Sequence, residues 1–351
     1  MNNNYLWVEK YRPTKLDDIC SQSNTIKSLR SSIYNQNLPH LIFFGPSGCG
    51  KTSTIIALAK EIFGLENYNN RIIELNASDE RGINIIREKI KTYAKQSIKK
   101  IDNLPPWKII ILDEADTMTI DSQFALRRIM EQYSKITRFC IICNYYNKII
   151  EPIISRCSMF RFKAINSIDI ISKLEYICNN EKINYTSDII NKIKINSRGD
   201  LRKAINLLQK CYCSLNNNQD FFKKHGLTEI STDSEKYCVN KQISSNSNCI
   251  LLKLDELAGY IPSDIFNNLI KLIFLKDYKN VEILLNDIYN NGYSLVNQIL
   301  LFHDFIINST IASEKKANII CKIAEIDQNL IKGCDEFIQL MNLIYYIMIT
   351  I

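Results

Sequence analysis

The stretch Phe43-Phe44-Gly45-Pro46-Ser47-Gly48-Cys49-Gly50-Lys51-Thr52-Ser53-Thr54 constrains the fold more than any other part of the chain. It has the pattern G-x-x-x-x-G-K-[ST], in which glycines let the backbone turn successive N–H groups inward around anionic oxygens. The lysine of this pattern, here Lys51, reaches the β- and γ-phosphates of a nucleoside triphosphate, and the next hydroxyl, Thr52, is a Mg²⁺ ligand. Such a turn needs a strand before it and a helix after it. Leu41-Ile42-Phe43-Phe44 is an apolar run fit for a buried strand, and Ile55, Leu58, Ala59 and Ile62 recur at helical spacing between Ser53 and Phe63. The helix N-terminus adds its dipole to the anion site. These residues imply an α/β fold with a parallel sheet. They make Gly45, Pro46, Ser47, Gly48, Cys49, Gly50, Lys51, Thr52 and Ser53 candidate ATP-binding residues.

A second motif closes the apolar run Lys108-Ile109-Ile110-Ile111-Leu112 with Asp113-Glu114-Ala115-Asp116. In an open parallel sheet, ligands bind outside the carboxyl ends of the strands. Carboxylates at that edge have two tasks in phosphoryl transfer. Asp113 is suited to holding Mg²⁺, directly or through water, and Glu114 to orienting the attacking water. Thr137 to Asn144 reads as another strand, and the Asn144 amide is placed to donate to a γ-phosphate or hold the water. Arg71 to Asn76 and Met159 to Phe162 supply further strands. Lys148 to Cys157 puts Arg156 at the end of a short apolar helix.

Helices are expected at about 23–35, 83–98 and 122–133. In the last of these Leu126, Ile129, Met130 and Tyr133 face inward, and Arg127 and Arg128 face elsewhere. Arg87, Lys91 and Lys95 share a face of the 83–98 helix, either as a solvated stripe or as contacts to a nucleic-acid backbone. The Trp7 to Pro13 segment, dense in aromatic and charged residues, is expected to lie against the nucleotide base. Beyond Ser167 the pattern is helical, with Gly199-Asp200-Leu201-Arg202 opening one helix on an acidic cap. Residues 216–249, rich in Asn and Ser, read as a partly disordered linker or insertion. Amphipathic helices follow at about 263–275, 278–291, 294–309, 314–331 and 334–349. This third of the chain lacks a cluster of catalytic residue types, so assembly is its expected task.

The 351 residues suffice for two or three domains with real cores, and a net charge of +7 fits a nucleic-acid partner without requiring one. The polar opening Met1-Asn2-Asn3-Asn4 lacks the apolar core of a signal peptide, so the twelve cysteines are expected to be reduced thiols. Cys140-x-x-Cys143 lies in an apolar strand and has no second pair at zinc spacing; it reads as packing, as do Cys211 and Cys213. The uncharged tail from Phe337 to Ile351 falls short of the about 20 residues that span a bilayer. It reads as a buried helix at a subunit or domain contact.

Four motifs together resemble the small subunits of replication factor C, the AAA+ clamp loaders: Val8-Glu9-Lys10-Tyr11-Arg12-Pro13, Asn76-Ala77-Ser78-Asp79-Glu80-Arg81-Gly82, Asp113-Glu114-Ala115-Asp116 and Ser155-Arg156-Cys157. The match runs from about Trp7 through Leu208 and more loosely beyond. Within the family, Arg138 to Tyr145 and Phe160 to Lys163 look most like subunit 4. The resemblance implies an AAA+ P-loop ATPase domain (1–163), a small helical lid (164–215), the linker (216–249) and an all-α collar that oligomerises (250–351). Lys51, Thr52, Asp113 and Glu114 fall on the family's ATP-hydrolysis positions and Val8 and Arg12 near its nucleotide. Asn144 falls on sensor 1, Arg202 on sensor 2, and Arg156 on an arginine finger that serves a neighbour's ATP. Arg87, Lys91 and Arg127 fall on duplex-facing helices. Implied partners are the other replication factor C subunits in a heteropentamer, the sliding clamp proliferating cell nuclear antigen and primer–template DNA; the implied location is the nucleus, with no membrane. Ser47 and Cys49 depart from the Pro and Thr usual in the family's loop.

Two other classes compete. A structural subunit of the same complex would bind ATP without turning it over, yet Lys51, Glu114 and Arg156 are all present. A hexameric AAA+ DNA motor would share Lys51, Asp113, Glu114 and Arg202 but would need neither the Ser-Arg-Cys motif nor a helical collar. Each phosphate contact adds about one unit to the slope of log affinity against log salt, whatever the DNA sequence. Replacing Arg87 and Lys91 with Ala is therefore expected to flatten that slope in the assembled complex. An unchanged slope assigns both to a solvated face.

Overall fold

The computed structural model describes residues 6–34, 38–77, 83–96, 104–183, 185–224 and 254–351, with side chains described for these except 83–87 and 214–224. The chain divides into two compact units, 1–185 with 197–209, and 186–196 with 210–351.

In the first unit five parallel strands, β1 (His40–Phe44), β2 (Ile72–Asn76), β3 (Lys108–Asp113), β4 (Thr137–Cys143) and β5 (Cys157–Arg161), form one sheet in the order β2-β3-β4-β1-β5. Parallel strands need crossovers, and helices supply them: α3 (Lys51–Arg71) after β1, α4 (Ile83–Lys95) after β2 and α5 (Ile120–Tyr133) after β3. Helices on both faces make the central strands nearly continuous in apolar residues. Alternation then sorts side chains by parity. Leu41, Phe43, Ile109, Ile111, Cys140 and Ile142 pack with Ile55, Leu58 and Ala59 of α3. Ile42, Ile110, Leu112, Phe139, Ile141 and Cys143 pack on the other face with Ile90 of α4 and with Leu126, Ile129 and Met130 of α5.

This parity settles the cysteine pair. Cys140 and Cys143 are three apart on β4, so they point to opposite faces and cannot share a metal ion. Among the described residues, no group of three or more His, Cys, Asp or Glu side chains is placed to hold one. Cys211 is buried as expected, but Cys213 is exposed and is not a packing residue.

The main remaining helices of this unit are α1 (Trp7–Lys10), α2 (Ser23–Tyr34), α6 (Glu151–Ile154), α7 (Ser167–Glu181) and the first nine residues of α9 (Leu201–Lys224). Sequence spacing placed the loop helix at 53–63; the helix in fact starts at Lys51 and runs on to Arg71, with a non-helical break at Gly64. α9 also extends past the expected boundary at 215, so the Asn-rich stretch begins inside a helix. Residues 78–82 of the second family motif, 225–249 of the expected linker and 250–253 of the expected collar lie outside the described residues.

The second unit holds most of α8 (Ser187–Ser197), the rest of α9, and five helices that match the amphipathic repeats closely: α10 (Ser263–Leu275), α11 (Tyr278–Asn290), α12 (Leu295–Asn308), α13 (Ser313–Ile331) and α14 (Glu336–Thr350). Leu269, Leu285, Phe302, Ile319 and Leu343 are among their fully buried residues. Glu336 accepts from Leu295 N and Ser294 Oγ at 2.8 and 2.7 Å, capping α12 from the start of α14. The uncharged tail is α14, with Leu340, Leu343, Ile344, Ile347 and Met348 buried. Among the described residues no helix is long and apolar enough to cross a membrane.

Both tryptophans, Trp7 and Trp107, belong to the first unit and report its unfolding alone. Phe43→Ala, at a fully buried position between Phe160 and Phe162, is expected to destabilise that unit by about 3–5 kcal/mol in urea titrations followed by tryptophan fluorescence. Leu343→Ala is expected to leave the fluorescence transition in place while shifting the far-ultraviolet dichroism of the second unit.

Candidate functional site

The sheet order places β3, β4 and β1 side by side, so Asp113, Asn144 and the phosphate loop leave the sheet at one edge. Close approach is built in at Gly45. Its φ is +145°, and a Cβ there would lie 2.2 Å from the Phe162 carbonyl oxygen, so only glycine lets the loop leave β1 beside β5.

Two side-chain pairs bridge the edge. Lys51, at the first turn of α3 and only 8% exposed, donates to Gly45 O at 2.7 Å, Pro46 O at 2.8 Å and Asn144 Oδ1 at 2.8 Å. An ammonium has three donors, and all three are met. The neighbouring Thr52 hydroxyl donates to Asp113 Oδ2 at 2.7 Å. Asp113 Oδ1 in turn accepts from Glu114 N at 2.9 Å, and Glu114 has left-handed backbone (φ 53°) that turns the chain sharply off β3. A hydroxyl and a carboxylate converging in this way suit a hard divalent cation, which takes oxygen ligands and fills its other positions with water and phosphate. Thr52 and Asp113 therefore fit Mg²⁺.

These groups line a cavity of about 220 Å³. Its walls include Val8 and Arg12 from the N-terminal segment, Ser47 through Ser53, Asp113, Glu114, Asn144 and Arg202. Every sequence-selected nucleotide residue is brought here, with Gly45 and Pro46 joined through their carbonyls to Lys51. Cys49 is buried, its thiol donates to Pro46 O at 2.9 Å, and burial pushes its pKa up, so it packs as a neutral group. The segment ahead of the site is tied down by its polar ends. Lys10 and Tyr11 both donate to Glu181 on α7, and burial followed by that carboxylate raises the Tyr11 pKa. Arg12 pairs with Glu9 at 3.1 Å.

Several contributors escaped the sequence reading. Cys20 and Lys173 also line the cavity. Asp116 accepts from Asn144 N and Tyr145 N, both at 3.3 Å, and so holds the chain where it leaves β4. Its place in the Asp-Glu-Ala-Asp motif was the available signal.

Arg156 lies apart from the cavity lining. Its guanidinium pairs with Glu131 Oε1 at 2.6 Å and donates to Pro152 O at 2.6 Å. Arg127 Nε donates to the same Glu131 oxygen at 3.0 Å. The Arg127 hydrogen bond first, and then the charges of both arginines, hold the Glu131 carboxyl below its usual pKa. Lys91 is exposed on α4, and the Arg87 side chain lies outside those described.

Three family models match this chain. "ATPase family associated with various cellular activities (AAA)" covers 41–164, "RCF1/5-like, AAA+ ATPase lid domain" covers 172–213, and "Replication factor C C-terminal domain" covers 261–346. Replication factor C subunit 2 of Schizosaccharomyces pombe is 41% identical over 96% of this chain and 92% of its own length. Subunit 2 of Saccharomyces cerevisiae is 39% identical over 96% and 91%, and human subunit 4 is 37% identical over 96% and 86%. Among solved structures, a Thermotoga maritima RuvB superposes with a TM-score of 0.50, over 81% of this chain and 89% of that one; at 15% identity it shows shared fold alone.

Lys51→Ala removes the one ammonium that closes the loop and is expected to weaken MgATP binding by about ten- to hundredfold. Glu114→Gln removes no bond to the loop and is expected to change the dissociation constant by less than about threefold. Isothermal titration reads both. Equal losses would contradict this separation of tasks.

Proposed function

The chain belongs to the replication factor C small-subunit family, and from that premise we propose how its ATPase site serves a clamp loader. ATP lies with its base against Val8 and Arg12 and its triphosphate over residues 45–53. Lys51 exchanges its carbonyl and amide acceptors for phosphate oxygens. Thr52 and Asp113 would hold Mg²⁺, which would neutralise phosphate charge. Glu114, beyond Asp113 on the turn off β3, orients the attacking water and polarises it. Asn144 and Arg202 respond to the terminal phosphate, the first from the end of β4 and the second from the first turn of α9. The observation that carries this reading is the meeting of Lys51 with Asn144 and of Thr52 with Asp113 at one sheet edge.

Arg156 completes a neighbour's site. It is surface-placed, apart from the cavity of its own chain, and held by a pair that solvent screens, so an interface can redirect it at small cost. The partners are other replication factor C subunits in a heteropentamer. ATP binding opens a sliding clamp, proliferating cell nuclear antigen, and hydrolysis closes it on primer–template DNA in the nucleus. Lys91 and Arg127, with Arg87, track the duplex backbone without reading bases. The AAA+ domain at 1–163 and the lid at 164–215 form the nucleotide machine. A linker between the end of α9 and residue 249 leads to the collar at 250–351, which assembles the ring.

Arg156→Ala subunits assembled with wild-type partners test this. The variant is expected to keep its own ATP affinity while clamp- and DNA-stimulated turnover at the neighbouring site falls by ~10³- to 10⁵-fold. Loss of its own nucleotide with the neighbour's rate untouched would make Arg156 a local binding residue.

A further inference from the structure

The turn that opens α9 lies directly on the phosphate loop. Asp200 precedes the helix, and its carboxylate meets two donors from different segments. Lys203 N donates to Oδ1 at 2.9 Å, as in an ordinary helix cap, and Ser47 Oγ donates to Oδ2 at 3.0 Å. The backbone follows: Leu201 N donates to Gly48 O at 3.3 Å. Loop and carboxylate are in contact, since a Cβ on Gly48 would fall 1.8 Å from Asp200 Oδ1. Gly48 also has φ +62°, so this position demands glycine for two separate reasons. All of these residues lie in the first unit.

A helix cap needs only one of the two carboxylate oxygens. The second is spent on a side chain that the loop pattern leaves free, because Ser47 occupies one of its x positions. Two residues after Asp200, Arg202 lines the cavity with Lys51 and Thr52. An arginine is long and loses much freedom when it holds one place, so the stiffness of its anchor governs how well it senses a terminal phosphate.

We propose that Asp200 is a positioning residue, which latches the first turn of α9 to the phosphate loop through Ser47 and so fixes Arg202 over the terminal phosphate. Discrimination of ATP from ADP thereby depends on the hydroxyl at position 47. The proposal rests on the reading of Arg202 as a phosphate-facing group.

The test uses the full chain with Mg²⁺, titrated calorimetrically with ADP and with the β,γ-imido analogue of ATP. Ser47→Ala is expected to weaken the triphosphate by about three- to tenfold while ADP changes by less than about twofold, lowering the ratio of affinities. Ser47→Thr keeps the hydroxyl and is expected to restore the ratio, which a loss of loop packing alone would not produce. Asp200→Asn keeps a cap and an acceptor, guarding against misfolding, and is expected to fall between the two. Arg202→Ala is expected to collapse the ratio, with Ser47→Ala adding nothing to it. If Arg202→Ala lowers the ratio and Ser47→Ala does not, or if Ser47→Ala weakens both nucleotides equally, the latch is overturned and the Arg202 reading stands. If Arg202→Ala leaves the ratio unchanged, that reading falls and the latch with it.

Discussion

A nearly buried ammonium ties together the segments from which the site is made. Lys51 cannot lie at 8% exposure without acceptors, since an unpaired charge away from water is far more costly than any packing gain around it. Gly45 and Pro46 supply two carbonyls from the loop after β1, and Asn144 supplies the third acceptor from the end of β4. That geometry exists only because β1 and β4 are neighbours in parallel register, Phe44 opposite Cys143. Sheet topology thus comes before chemistry: any order that separated these strands would leave the ammonium unsatisfied and the loop without a wall. The same edge brings Asp113 to Thr52 across the next strand end. Phosphate oxygens offer the lysine charged acceptors in place of neutral ones, which makes nucleotide entry an exchange of partners instead of the creation of a site.

Among the described residues, the cavity is lined from the first unit. The second unit's five helices after Pro262 bury a core of their own, and its polar interior is used for joints: Gln298, 1% exposed, accepts from Ile261 N at 3.1 Å and donates to Gly259 O at 2.9 Å. Asp255 likewise gathers Lys192, Asn196 and Ser263. Large apolar side chains nonetheless stay exposed on these helices, among them Leu275, Ile283, Ile338 and Ile349. A unit with a core of its own and apolar residues left outside is suited to contacts with other subunits.

Much of this was legible because the decisive signals are local. A G-x-x-x-x-G-K-[ST] run after an apolar strand can hardly be anything but a phosphate loop, and the apolar periods of α10 through α14 mark helix ends to within a residue or two. Even the cysteine pair could be read, since spacing of three on a strand divides two faces. What escaped was long-range or two-sided. Nothing near Ser47 announces Asp200, and although the i,i+4 spacing on α5 brings Arg127 to Glu131, nothing near them announces that Arg156 shares the carboxylate. The end of α3 escaped for another reason. The apolar period ends near Phe63, yet after the break at Gly64 the helix continues to Arg71. Cys213 shows the limit of composition: a cysteine two residues from a buried one on a helix lies on a different face, and it is exposed.

On the function proposed, this chain holds a site complete for binding and incomplete for turnover. Its Lys51, Thr52, Asp113, Glu114, Asn144 and Arg202 converge, while Arg156 lies apart from that lining and pairs with Glu131. The direct measurement compares ATP turnover by the isolated chain with turnover at the same site after assembly with partner subunits whose own phosphate loops are inactivated. The account predicts ATP binding in both states, with hydrolysis near background alone and ~10³- to 10⁵-fold faster in the assembly. Equal rates in the two states would show that the chain carries everything hydrolysis needs and would contradict the account.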